Sequence, residues 1–121
     1  MPGLNIIVAA PDGARFYAAL ECAMAWSALG RTARLFLQGE AAALLQAPVG
    51  FPGDRARTAA GQPDLAALVA EAAAMDVRIM VCQSGLALAG VTADRLAPEA
   101  EVGGLLSFLA ATAPDDHLLT Y

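Results

Sequence analysis

Cys82 stands where an apolar run stops. The segment Arg78 to Gly90, RIMVCQSGLALAG, is hydrophobic up to the thiol and then turns to small residues punctuated by glycine. That pattern reads as a strand that ends on cysteine and hands over to a helix. A helix start carries unpaired backbone N–H groups and the positive end of the peptide dipoles, and both favour an anion. Cysteine pKa values at such places fall from about 8.5 into the range of roughly 3.5–7.5. The thiolate, not the thiol, is the nucleophile. Cys82 is therefore the candidate catalytic residue, with the amides of Ser84 and Gly85 as thiolate stabilisers. Asp12 and Gly13 end another apolar run and are candidates to line the same edge, Asp12 serving equally as a helix cap. A second reading of Cys82 stays open, that of a small packed core residue.

Spacing removes several chemistries. The motif at the thiol is C-x-S rather than C-x-x-C, so a thioredoxin-type dithiol is absent. A C-x5-R phosphatase pattern needs arginine where Leu88 stands, and the next arginine is Arg95. The one histidine, His117, begins the last predicted strand. In a parallel sheet that start lies at the edge opposite Cys82. On that ground a Cys–His pair within one chain is not expected, while one across a subunit interface stays open. Cys22 falls about nine residues into a predicted helix, roughly 14 Å along its axis. A disulfide needs α-carbons within about 7 Å, so the two cysteines are expected to stay unpaired. What is left is a lone activated thiol. Such a thiol can take up sulfane sulfur as a persulfide and pass it to another thiol, with no cofactor and no metal required.

The elements that must position this thiol follow from the hydrophobic pattern. Leu4 to Ala10 is a nearly continuous apolar run, as in a strand buried on both faces. Asp12 then caps a helix from about Ala14 to Leu29, with Phe16, Leu20, Ala23 and Ser27 on one face, and Gly30 ends it. Thr32 to Gln38 reads as a second strand, and Glu40 to Gln46 as a short helix. Residues 47 to 63, APVGFPGDRARTAAGQP, hold three prolines and three glycines and read as a loop. Arg55 and Arg57 make that loop either a solvated surface or a lid for an anionic group. Asp64 caps a helix from Leu65 to Ala74, and Val77 to Cys82 is the third strand. A short helix over Gly85 to Ala89, a brief strand at Ala100 to Val102, a helix within Gly103 to Ala113 and an edge strand from His117 to Tyr121 complete the chain. Alternating strands and helices predict a single α/β domain over residues 1–121. It is a three-layer sandwich with a mostly parallel sheet of about five strands.

Composition narrows the partners. Hydrophobic residues make up 58% of the 121 residues, above the roughly 45–50% usual even with glycine counted. The excess predicts burial between subunits, although much of it is alanine. A net charge of −5 disfavours nucleic acid and anionic membrane surfaces. No run approaches the roughly 20 apolar residues of a membrane span. The N-terminal stretch lacks the basic start of a signal peptide, and with two cysteines this predicts a cytoplasmic protein with free thiols. Neither G-x-G-x-x-G nor a P-loop occurs, so nucleotide binding has no support.

Four stretches in this order resemble the DsrE/DsrF-like sulfur-relay family: IIVAAPDGARFYAALECAMAWSALG, VRIMVCQSGLALAGV, EVGGLLSFL and DDHLLTY. The resemblance runs across nearly the whole chain. It implies a small α/β fold assembled as trimers or hexamers, and a sulfur-carrying cysteine after the third strand, where Cys82 lies. It also implies donor and acceptor proteins for the sulfur. The expected function is a cytoplasmic persulfide carrier. The alternatives are a homo-oligomeric scaffold without chemistry and a thiol redox sensor.

Overall fold

A computed structural model describes residues 1–121. Five strands form one sheet: β1 (Leu4–Val8), β2 (Ala33–Leu37), β3 (Arg78–Cys82), β4 (Ala100–Gly103) and β5 (His117–Thr120). Their order is β4-β3-β2-β1-β5, and every neighbouring pair is parallel. The α-helices are α1 (Gly13–Ala28), α2 (Asp54–Ala59), α3 (Leu65–Ala74), α4 (Gln83–Ala89) and α5 (Leu105–Ala110). A 3-10 helix spans Gly39–Leu45.

Local chemistry sets the helix ends. Asp12 Oδ1 accepts from the Ala14 N–H at 2.8 Å, and Asp64 Oδ1 accepts from the Ala67 N–H at 2.8 Å. Each satisfies one of the donors that a helix start leaves free. Gly30 adopts a φ of +80° just after α1, a conformation costly for any residue with a Cβ.

The two faces of the sheet are covered unequally. Leu4, Ile6 and Val8, Leu35 and Leu37, and Ile79 and Val81 join one large core with Phe16 and Leu20 of α1, Leu68 and Val69 of α3, and Leu86 of α4. The alternate residues point the other way. Ile7, Phe36 and Cys82 pack there with Phe108 of α5, and Met80 and Leu105 lie against them. Strand order explains the split. The chain steps steadily from β1 to β4, then crosses back to β5, and right-handed crossovers put that last helix on the opposite face.

A polar cluster fixes α5 and β5 on that thinly covered face. Asn5 is 1% exposed. Its Oδ1 accepts from Arg34 Nε at 2.8 Å, and its Nδ2 donates to Asp116 Oδ2 at 3.2 Å. Arg34 Nη2 donates to the Phe108 carbonyl at 3.0 Å, and the guanidinium lies 4.3 Å from the centre of the Phe108 ring. Asp116 also accepts from the N–H groups of Gly3 and Ala113. Those two amides hold its carboxyl below the usual range.

Residues 47 to 63 are more structured than their prolines and glycines suggest. The expected loop contains α2. Asp54 accepts from the Phe51 N–H and from the Leu65 N–H, so one carboxylate ties the segment to the start of α3. Phe51 stands 6.1 Å from Tyr17, and the Arg57 guanidinium lies 4.4 Å from the Tyr17 ring and 4.9 Å from that of Phe51. Arginine stacked on aromatic rings offset the weak local propensity. Elsewhere the predicted boundaries move by a residue or two, and the helix expected over Glu40 to Gln46 is the tighter 3-10 form.

Phe108 is the chief apolar cover of Phe36 and is 1% exposed. Phe108→Ala is expected to lower unfolding free energy by about 3–5 kcal/mol in a urea titration. A loss under about 1 kcal/mol would show that α5 does not seal this face.

Candidate functional site

β3 delivers Cys82 to the carboxyl end of the sheet, and α4 begins at the next residue. The side chain is 7% exposed and rests on Phe36, Ile7 and Phe108. Its other side faces a cleft of about 530 Å³ lined by Gln38, Gly39, Gln83, Ser84, Ala87, Gly104 and Leu105. None of these lining residues carries a charge.

The sulfur sits among donors. Ser84 Oγ lies 3.0 Å from Sγ. With a thiolate, that hydroxyl donates to the sulfur. Burial is the largest single influence on Cys82 and pushes its pKa up. The Ser84 hydroxyl and the backbone N–H groups of Gly39, Gly85 and Ser84 pull it down and together win, leaving the thiol below its ordinary value. Hydrogen bonds to the charged form act in this direction, and a half-sequestered site strengthens each of them.

Two glycines make the cradle possible. Gly39 adopts a φ of +58°, which turns the chain back after β2. Gly85 sits so close that a Cβ there would run into the Gly39 carbonyl oxygen and approach its carbonyl carbon to 2.9 Å. The end of β2 and the start of α4 are thereby pressed together beside the sulfur. Across the other neighbouring strand, Gly103 is the partner of Cys82 in register, and a Cβ on it would come within 2.6 Å of Met80 Sδ.

The predicted trio Cys82, Ser84 and Gly85 comes together. Asp12 and Gly13 do not join it. Asp12 is exposed, caps α1 and faces Arg15 at 4.0 Å. Gly13 packs under Phe51, with a Cβ position only 2.6 Å from that side chain. Neither lines the cleft, and no residue of 47 to 63 does, so of the two readings of that segment the lid does not apply to this site. Gln38, Gly39, Gly104 and Leu105 escaped the sequence reading. Gln38 and Gly39 follow a strand adjacent to β3, and the rule that ligands gather at strand ends pointed to them once strand order was known. His117 begins β5 in register with Leu4, at the opposite edge, where it packs edge-on against Trp26 at 5.4 Å. Both cysteines are free thiols. Cys22 lies in α1 beside Tyr121, whose phenol is pushed up by burial and by that neighbour. No group of three or more His, Cys, Asp or Glu side chains is placed to hold a metal, and no helix is long and apolar enough to cross a membrane.

The model of the DsrE/DsrF-like family matches residues 4–121. The chain belongs to the DsrE/DsrF-like family. Membership implies a role of the sulfur-relay type. The fold is similar to the crystal structure of the YchN protein from E. coli, at 21% identity, with 100% of each chain covered and a TM-score of 0.68. No curated protein matches the chain significantly. The mostly parallel α/β sandwich expected from sequence is found with every strand pair parallel, and it matches the fold of that DsrE-like neighbour.

Because its pKa is lowered, Cys82 keeps its thiolate, and its alkylation, to lower pH than a free thiol. Ser84→Ala is expected to slow alkylation below the midpoint by about tenfold, the worth of one hydrogen bond to a charged group. Gly85→Ala should slow it further, because the added methyl displaces Gly39. A wild-type rate profile matching that of a free thiol would refute the cradle.

Proposed function

We propose that the protein carries sulfane sulfur as a persulfide on Cys82. The observation that supports this is a single sulfur, 3.0 Å from the Ser84 hydroxyl and with its pKa drawn down by nearby backbone amides, at the floor of an open and uncharged cleft. The Cys82 thiolate attacks the outer sulfur of a donor persulfide. The Sγ–S bond forms, the donor's S–S bond breaks, and its electron pair leaves with the donor thiolate. The proton stays on the transferred sulfur or goes to solvent. An acceptor thiolate then attacks that sulfur, and Sγ departs as the thiolate the cradle already favours. The exchange balances without an added oxidant or reductant. Donor and acceptor are thiol-bearing proteins in this reading.

Incubation with a persulfide donor followed by intact mass measurement is expected to add the mass of one sulfur to wild type and to Cys22→Ser. Cys82→Ser should gain none. Equal labelling of wild type and Cys82→Ser would reject carriage. Oxidation of Cys82 to a sulfenic acid with no sulfur uptake would favour a redox sensor instead.

Assembly into a homo-oligomer, a trimer or a hexamer, belongs to the same proposal. Leu106 is 83% exposed and Leu88 68%, and Leu118 and Leu119 lie open on the edge strand. Single exposed leucines are ordinary, but these add to a chain already rich in apolar residues. Sedimentation is expected to give a multiple of 12.3 kDa. A monomer at micromolar concentration would overturn the assembly.

A further inference from the structure

We propose that the side-chain amide of Gln38 holds the outer sulfur of the Cys82 persulfide; this rests on the carrier reading above. The groups that favour charge at Cys82 act on the inner sulfur: the Ser84 hydroxyl lies 3.0 Å from Sγ, and the N–H groups of Gly39, Gly85 and Ser84 draw its pKa down. When sulfur is taken up, the negative charge moves outward by one S–S bond, about 2.05 Å. Backbone amides cannot follow it. The outer sulfur enters a cleft with no cationic side chain, so its charge needs a neutral donor there.

Strand register picks out Gln38. Phe36 pairs with Met80 and Leu37 with Val81, and Gln38 stays extended, its N–H bonded to the Val8 carbonyl at 2.9 Å. The register therefore runs on by one residue and sets Gln38 beside Cys82, on neighbouring strands about 4.8 Å apart. Side chains alternate along a strand, so Gln38 shares the face of Phe36 as Cys82 shares that of Met80. Ile7, Phe36 and Phe108 make the floor apolar, and Gln38 is the polar end of that row. At the start of the 3-10 helix it makes no side-chain cap hydrogen bond, so its amide is not spent there. Gln83 also lines the cleft but is exposed on the first turn of α4. A glutamine amide offers two N–H donors and one carbonyl acceptor, and so serves the outer sulfur as S⁻ or as S–H. Loss of the proton to solvent leaves the anion, which the Gln38 N–H groups stabilise.

The test compares loaded and unloaded protein. Wild type, Gln38→Met and Gln38→Glu are loaded with inorganic polysulfide, and alkylation by neutral iodoacetamide is followed against pH on the persulfide and on the bare thiol. Gln38→Met is expected to slow alkylation of the loaded form below its midpoint by about tenfold, the low end for one hydrogen bond to an anion. Gln38→Glu should slow it more, through repulsion. The bare-thiol profile of Gln38→Met should stay within about twofold of wild type, because the cradle is intact. Superimposable loaded profiles would overturn the assignment, as would equal shifts in loaded and bare profiles, which indicate a structural role. Should Gln38→Met fail to fold, the neutral Gln38→Leu carries the same comparison. Absence of sulfur uptake by wild type would remove the carrier reading, and this one with it, whereas uptake with identical profiles removes only this one.

Discussion

The site depends on one close approach, that of Gly85 to the backbone of Gly39. No side chain fits between them. Their contact fastens the start of α4 to the turn after β2, and the sulfur of Cys82 lies at that seam. Had Gly85 carried a Cβ, the two segments would part, while at Gly39 it is the left-handed φ of +58° that favours glycine. Glycine has a conformational cost in the unfolded chain. Here the cost secures a geometry that no larger residue permits.

The same seam explains how a nearly buried sulfur stays ionisable. Apolar contacts with Phe36, Ile7 and Phe108 penalise the charge, while the directed donors on the cleft side favour it. The two halves of the environment do different work. Apolar packing holds the side chain in one orientation, and the donors set its protonation. A thiol more deeply embedded would lose the donors, and one fully in water would lose the orientation.

Much of this was legible in the residues. A hydrophobic run ending on Cys82 and followed by Ser84 and Gly85 announces a thiol at a strand end, because burial and helix initiation leave clear local patterns. Asp12 and Asp64 were readable as caps for the same reason. Gly39 and Gln38 were not, since their roles arise from β2 lying beside β3, a pairing between residues more than 40 apart. Sequence also gave no hint that Arg57 would stack on Tyr17 and Phe51, which converts a glycine- and proline-rich stretch into a fixed element. Asp12 and Gly13 were misplaced because the end of β1 lies one strand further from Cys82 than the end of β2 does, and Phe51 fills the space above Gly13.

The return of the chain to β5 carries a consequence for synthesis. β1 is synthesised before the other strands, yet one of its edges is completed only by residues more than 100 positions later, with Tyr121 bonded to Ile7 and Ala9 and Asp116 bonded to Gly3. Until those residues leave the ribosome, β1 presents a bare edge and the floor beneath Cys82 lacks Phe108. The nascent chain therefore has a thiol and an open strand edge before it has the helix and strand that cover them, and closing that gap quickly is a demand the fold places on the cell.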